Sequence, residues 1–108
     1  MFFGSTPAVP VDKAAARIGE PGVALVDVRT PAEYADGHAK GAVNFPLDTL
    51  DENQAAQLKS FAEVYVICRS GGRSAAATSA LVGSGVKAIN VSGGMLAWSA
   101  RGLPVVLE

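Results

Sequence analysis

The chain has 108 residues, 49% of them hydrophobic and 18% charged, with a formal net charge of −1. That length supports one core, hence one domain over residues 1–108, and the balanced charge excludes a polybasic nucleic-acid surface and a like-charged disordered tail. One cysteine and one histidine exclude an internal disulfide framework and leave too few soft ligands for a structural zinc site; no apolar run reaches the roughly 20 residues of a membrane span.

Met1-Phe2-Phe3 is apolar but lacks the basic and continuing apolar regions of a signal peptide. It reads as a segment packed on the domain or a loose terminus, with contact to a partner as the other reading. A lone thiol without a secretory signal points to the reducing cytoplasm, although a mature chain whose signal had been removed would look the same. Pro7–Val9 reads as a short first strand. Asp12–Ile18 is rich in alanine, and Val11, Ala14, Ala15 and Ile18 fall on one face, so a helix is expected there. Gly19 and Pro21-Gly22 stop it. Val23–Val28 is nearly all apolar, the pattern of a strand covered on both faces of a parallel sheet.

Thr30 is placed to cap a second helix, with Pro31 in its first position, Glu33 completing a capping box and Gly37 closing it. Ala42–Phe45 reads as a strand ended by Pro46. Asp51 and Gln54 have capping-box spacing and open a helix to about Ser60. Val64–Cys68 is the next strand, Ser74–Ser84 a helix with Gly85 as its left-handed stop, and Lys87–Val91 the last strand. Gly93-Gly94 leads into a helix over Met95–Ala100, which Gly102 and Pro104 end. Strands alternating with helices imply parallel pairing through crossover helices, hence an open α/β sheet. Ligands in such sheets bind beyond the carboxyl ends of the strands. Asp27-Val28-Arg29, Cys68 and Ser92-Gly93-Gly94 all fall on that rim.

The densest chemistry lies in Cys68-Arg69-Ser70-Gly71-Gly72-Arg73-Ser74, between a strand and a helix. Thiolate is the reactive form of cysteine, and an unperturbed thiol near pKa ~8.5 is mostly protonated at neutral pH. This loop offers three ways to lower that value. Amides of a glycine-rich turn can converge into an anion-binding nest, with Gly71 and Gly72 supplying the backbone freedom. The helix starting near Ser74 turns its positive end toward the sulfur. Arg69 and Arg73 add charge, and Ser70 and Ser74 add hydroxyl donors, so no separate general base is required. Taken alone, a cysteine at a strand end reads as a small buried apolar residue. Two arginines and a glycine pair folded around it favour the reactive reading. Arg73, which both closes the ring and opens the helix, is expected to matter more than Arg69.

This loop resembles the active-site loop of the rhodanese sulfurtransferases. Asp27-Val28-Arg29, Glu33-Tyr34, Gly37-His38, Gly41-Ala42 and Asn44 resemble the family's upstream signature. Gly93-Gly94-Met95, Ala97-Trp98 and Gly102-Leu103-Pro104-Val105 resemble its closing one. Ala39-Lys40 departs from the Ile-Pro pair common in the family. The resemblance implies a rhodanese-like open, mainly parallel five-stranded sheet with helices on both faces. It also implies a two-step exchange: the Cys68 thiolate takes the outer sulfur of thiosulfate, or of a persulfide donor, and a thiol or cyanide then removes it. Cys68 is the expected nucleophile, Arg69, Ser70, Gly71, Gly72, Arg73 and Ser74 the substrate-binding loop, and Asp27 and Arg29 supporting residues. No metal or cofactor is expected.

Two other readings compete. A sulfur carrier, loaded by a protein partner and slow with free thiosulfate, would use the same loop. A cysteine phosphatase would need one more residue between Cys68 and Arg73 and an acid for its leaving group. Asp27 reads as catalytic or, preferably, as an acceptor for loop amides; Arg29 and Glu33 as an ion pair; His38 as a turn stabiliser rather than a base; and Trp98 as core packing.

Overall fold

A computed structural model describes residues 6–108, so the Met1-Phe2-Phe3 start lies outside the described residues. The elements are β1 (Ala8–Pro10), α1 (Val11–Arg17), β2 (Val23–Asp27), α2 (Pro31–Ala35), β3 (His38–Ala39), β4 (Ala42–Asn44), a 3-10 turn (Leu47–Thr49), α3 (Glu52–Leu58), β5 (Glu63–Ile67), α4 (Gly72–Gly83), β6 (Ala88–Ser92), α5 (Gly94–Ala100) and β7 (Val105–Val106). Five strands form one sheet in the order β1-β6-β5-β2-β4, every neighbouring pair parallel. The cysteine therefore follows the central strand.

The side-chain period of two divides β5 between the sheet's faces. Val64, Val66 and Cys68 pack with Ala55 and Leu58 of α3 and Ala77 and Leu81 of α4. Tyr65 and Ile67 pack with Val11 and Ala14 of α1 and Met95 and Trp98 of α5. Burial on both faces explains why β2 and β5 read as near-continuous apolar runs. The expected open parallel sheet with helices on both faces is thus present. The helix caps form as well: Thr30 Oγ1 accepts from the Glu33 amide and Glu33 Oε1 from the Thr30 amide, while Asp51 accepts from the Gln54 amide.

Two features have no counterpart in the sequence reading. β3 and β7 pair antiparallel as a separate two-stranded sheet, and Leu47–Thr49 makes a 3-10 turn. Segments of two or three residues are too short to display a period. His38, in β3, is 2% exposed and lies stacked on the Tyr34 ring with Nδ1 at 2.8 Å from the Tyr34 carbonyl. Its expected role in the turn agrees with this. Trp98 is buried and donates to the Pro104 carbonyl at 2.8 Å. Among the described residues, no helix is long and apolar enough to cross a membrane.

Candidate active site

Cys68 is the first residue beyond β5, and α4 begins at Gly72, earlier than Ser74. Only Gly71 uses the left-handed backbone, with φ +110°, as the residue that caps α4; Gly72 is already helical. The expectation that both glycines supply unusual backbone angles is corrected on this point. The turn at Gly71 aims its amide at the cysteine, N to Sγ 3.0 Å. The Ser74 hydroxyl, one turn into α4 and fully buried, lies 3.3 Å from Sγ, 3.2 Å from the Gly71 carbonyl and 2.6 Å from Asn90 Oδ1. A hydroxyl has one proton to donate, so Asn90 on β6 competes with the sulfur for it.

The loop is pinned from outside by α5. Met95 and Leu96 amides donate to the carbonyls of Cys68 and Arg69 at 2.8 and 3.0 Å. Because trans peptides set N–H opposite C=O, carbonyls drawn toward α5 leave the following amides facing the sulfur. This close approach requires glycine at position 94: its φ is +55°, and a Cβ there would lie 2.4 Å from the Cys68 carbonyl oxygen. The Gly93-Gly94 turn thus approaches the loop from the neighbouring strand end.

Burial pushes the Cys68 thiol up, but hydrogen bonds from the Ser74 hydroxyl and from the Ser74, Gly71 and Ser70 amides outweigh it and leave the pKa below its ordinary value. Hydrogen bonds rather than the arginines lead this effect, although Arg73 does interact with the cysteine charge. Arg69 is exposed. Arg73 forms a two-point ion pair with Glu33, Nη1 to Oε1 2.7 Å and Nη2 to Oε2 2.9 Å. Cys68 is only 1% exposed. The residues that follow it in the loop, Arg69, Ser70 and Gly72, are exposed. Ser74→Ala is expected to move the pH midpoint of Cys68 alkylation by iodoacetamide upward, toward that of an ordinary thiol. An unchanged midpoint would assign the effect to the amides alone.

The expected Arg29–Glu33 pair does not form. Arg29 turns instead to Asp27, Nε to Oδ1 3.0 Å and Nη2 to Oδ2 2.7 Å, and its Nη2 also reaches the Gly37 carbonyl at 2.7 Å. Asp27 is fully buried and accepts the Arg29 amide at 2.9 Å as well. Local geometry decides this: residues two apart at a strand end meet across a turn, whereas Glu33 is drawn to its cap at Thr30 and to Arg73. Asn44 donates to the Asp27 and Arg29 carbonyls, both at 3.0 Å, and so ties the end of β4 to the same brace.

A cleft of about 290 Å³ adjoins the loop, walled by Val28, Thr30, Pro31, Leu47 and Asp48 and reached by Arg73. A larger one, about 570 Å³, lies around Gly19, Val23 and Phe61, at the amino ends of the strands and away from this chemistry. Among the described residues, no group of three or more His, Cys, Asp or Glu side chains gathers to hold a metal ion. Sequence reasoning placed the loop but missed Asn90 and the Glu33–Arg73 pair. An asparagine on an otherwise apolar strand was the available signal for the first; nothing in the spacing marks the second.

The profile of the rhodanese-like domain matches residues 10–101. A protein named sulfurtransferase from Allochromatium vinosum is 38% identical over 85 residues, covering 78% of each chain. Thiosulfate sulfurtransferase 16, chloroplastic, from Arabidopsis thaliana is 36% identical over 91 residues, which span 73% of this chain and 76% of that one. Among solved structures, a rhodanese-related protein from Thermoplasma volcanium superposes with a TM-score of 0.85 at 31% identity, over 94% of this chain and 99% of that one.

Proposed function

The chain belongs to the rhodanese-like domain family, and from that premise we propose that it transfers sulfane sulfur through a persulfide on Cys68, with thiosulfate as a donor and a thiol or cyanide as acceptor. In the first half-reaction the Cys68 thiolate attacks the outer sulfur of thiosulfate. The new S–S bond forms as the old one breaks, and its electron pair leaves on sulfite, so thiolate plus thiosulfate become persulfide plus sulfite with charge conserved. An acceptor thiolate or cyanide then attacks the outer sulfur of the persulfide and returns Cys68 to thiolate.

One observation supports this reading above the others: the sulfur sits 3.0 Å from the Gly71 amide and 3.3 Å from the Ser74 hydroxyl, in a ring that favours the anion. The same donors suit the terminal sulfur of a persulfide anion. Asp27 and Arg29 act as the brace of the rim, and Arg69, Ser70, Gly71, Gly72, Arg73 and Ser74 as the donor-binding loop. A lone free thiol that must stay reduced suits the cytoplasm.

Intact mass after incubation with thiosulfate tests the reading: a gain of one sulfur, about 32 Da, reversed by cyanide or dithiothreitol, is expected. No gain from thiosulfate, with loading from a cysteine desulfurase instead, would make the chain a carrier. Arg73→Ala is expected to lower kcat/KM for thiosulfate about tenfold or more, and Arg69→Ala less. Removing Arg73 also leaves the Glu33 carboxylate bare at the mouth, which removing Arg69 does not. Equal losses in the two variants would contradict this.

A further inference from the structure

Charge at the mouth of the loop is distributed unevenly. Arg73 lies in the first turn of α4 and Glu33 on α2, and their two-point pair joins residues 40 apart in sequence. The side chains remain 38% and 32% exposed. A pair so wetted is screened by solvent and contributes modestly to stability even with two contacts, so holding the fold together is an incomplete account of its geometry. Arg73 also lines the cleft beside the loop, where the other ionisable side chain is Asp48. Arg73 is thus paired with Glu33 and shares the cleft with Asp48, while Arg69 lies exposed on the same loop. The Arg73 charge is felt at Cys68, and Glu33, held at about 2 chiefly by its Arg73 hydrogen bonds, stays ionised at any working pH.

We propose that Glu33 is a specificity-determining residue: by cancelling the charge of Arg73 it weakens the site's attraction for doubly charged sulfur donors and narrows their advantage over singly charged ones. The inference rests on the sulfurtransferase reading above and adds to it a rule for donor choice. Coulomb work scales with the charge of the donor. Removing the Glu33 charge, with Arg73 kept in place, strengthens binding of a dianion by the square of the factor it gives a monoanion.

Thiosulfate and methanethiosulfonate are the probes. Both present an outer sulfur on a sulfonyl-type leaving group, and they differ by one negative charge. With the first, the thiolate yields persulfide and sulfite; with the second, persulfide and methanesulfinate, each balanced in atoms and charge. Glu33→Gln is the variant. Glutamine completes a capping box as glutamate does, and its carbonyl still accepts from Arg73. In Glu33→Gln, kcat/KM for thiosulfate is expected to rise about tenfold, mainly through KM, and that for methanethiosulfonate about threefold. The gain should shrink as ionic strength approaches about 1 M. A merely structural role for Glu33 would move both donors by one factor and in the same direction. That result, or no gain with thiosulfate while the parent loads normally, overturns the proposal and leaves the sulfurtransferase reading standing. If the parent is loaded by neither donor, that reading fails and the proposal with it.

Discussion

Cys68→Ser is expected to abolish persulfide formation, with sulfur transfer falling at least about 10⁴-fold while thermal unfolding stays cooperative. A serine hydroxyl is far too weak an acid to be ionised by the donors that favour the thiolate: the Gly71 amide at 3.0 Å and the Ser74 hydroxyl at 3.3 Å stabilise an anion that is already within reach for sulfur. The exchange changes one atom in a side chain that packs at the edge of the α3–α4 core. The ring that receives the new oxygen offers it hydrogen bonds, so the desolvation penalty of a buried hydroxyl is largely offset. Activity and stability thus separate. The measurements are intact mass after thiosulfate treatment and circular dichroism on heating; retained loading in the serine variant would remove Cys68 from the chemistry.

The largest expected loss of stability is at Arg29. Arg29→Leu removes the guanidinium that hydrogen-bonds Asp27, a carboxylate with no exposed surface, and it frees the Gly37 carbonyl as well. Breaking a buried pair from one side costs about 3–5 kcal/mol, against a total of about 5–15 kcal/mol for a domain. The double variant Asp27→Leu with Arg29→Leu should recover part of that loss, because no uncompensated charge remains. Urea denaturation of the parent, the single and the double variant measures all three. A loss under about 1 kcal/mol in the single variant would mean that solvent reaches Asp27 and the brace is dispensable.

Much of the architecture was legible in the order of residues. Val23–Val28 and Val64–Cys68 are apolar runs because both sheet faces are covered, and the observed β2 and β5 end within one residue of those bounds. The capping box at Thr30 and Glu33 could be read because cap residues satisfy backbone groups a few positions away. The cysteine loop could be read for the same reason: its amides and hydroxyls belong to consecutive residues. The two-residue strands β3 and β7 were not legible, since their pairing joins His38 and Ala39 to Val106 and Val105, far apart along the chain.

The order of residues alone fixed the parallel sheet, the capped start of α2 and the position of the lone cysteine at a strand end, all set by local periodicity, caps and backbone freedom. Only the tertiary structure decided which charges meet. Arg29 takes Asp27, Arg73 takes Glu33, and Asn90 shares the Ser74 proton with the sulfur. Ionic and polar partners are chosen by distances of a few ångströms between elements that lie far apart along the chain, and sequence spacing carries no record of those distances.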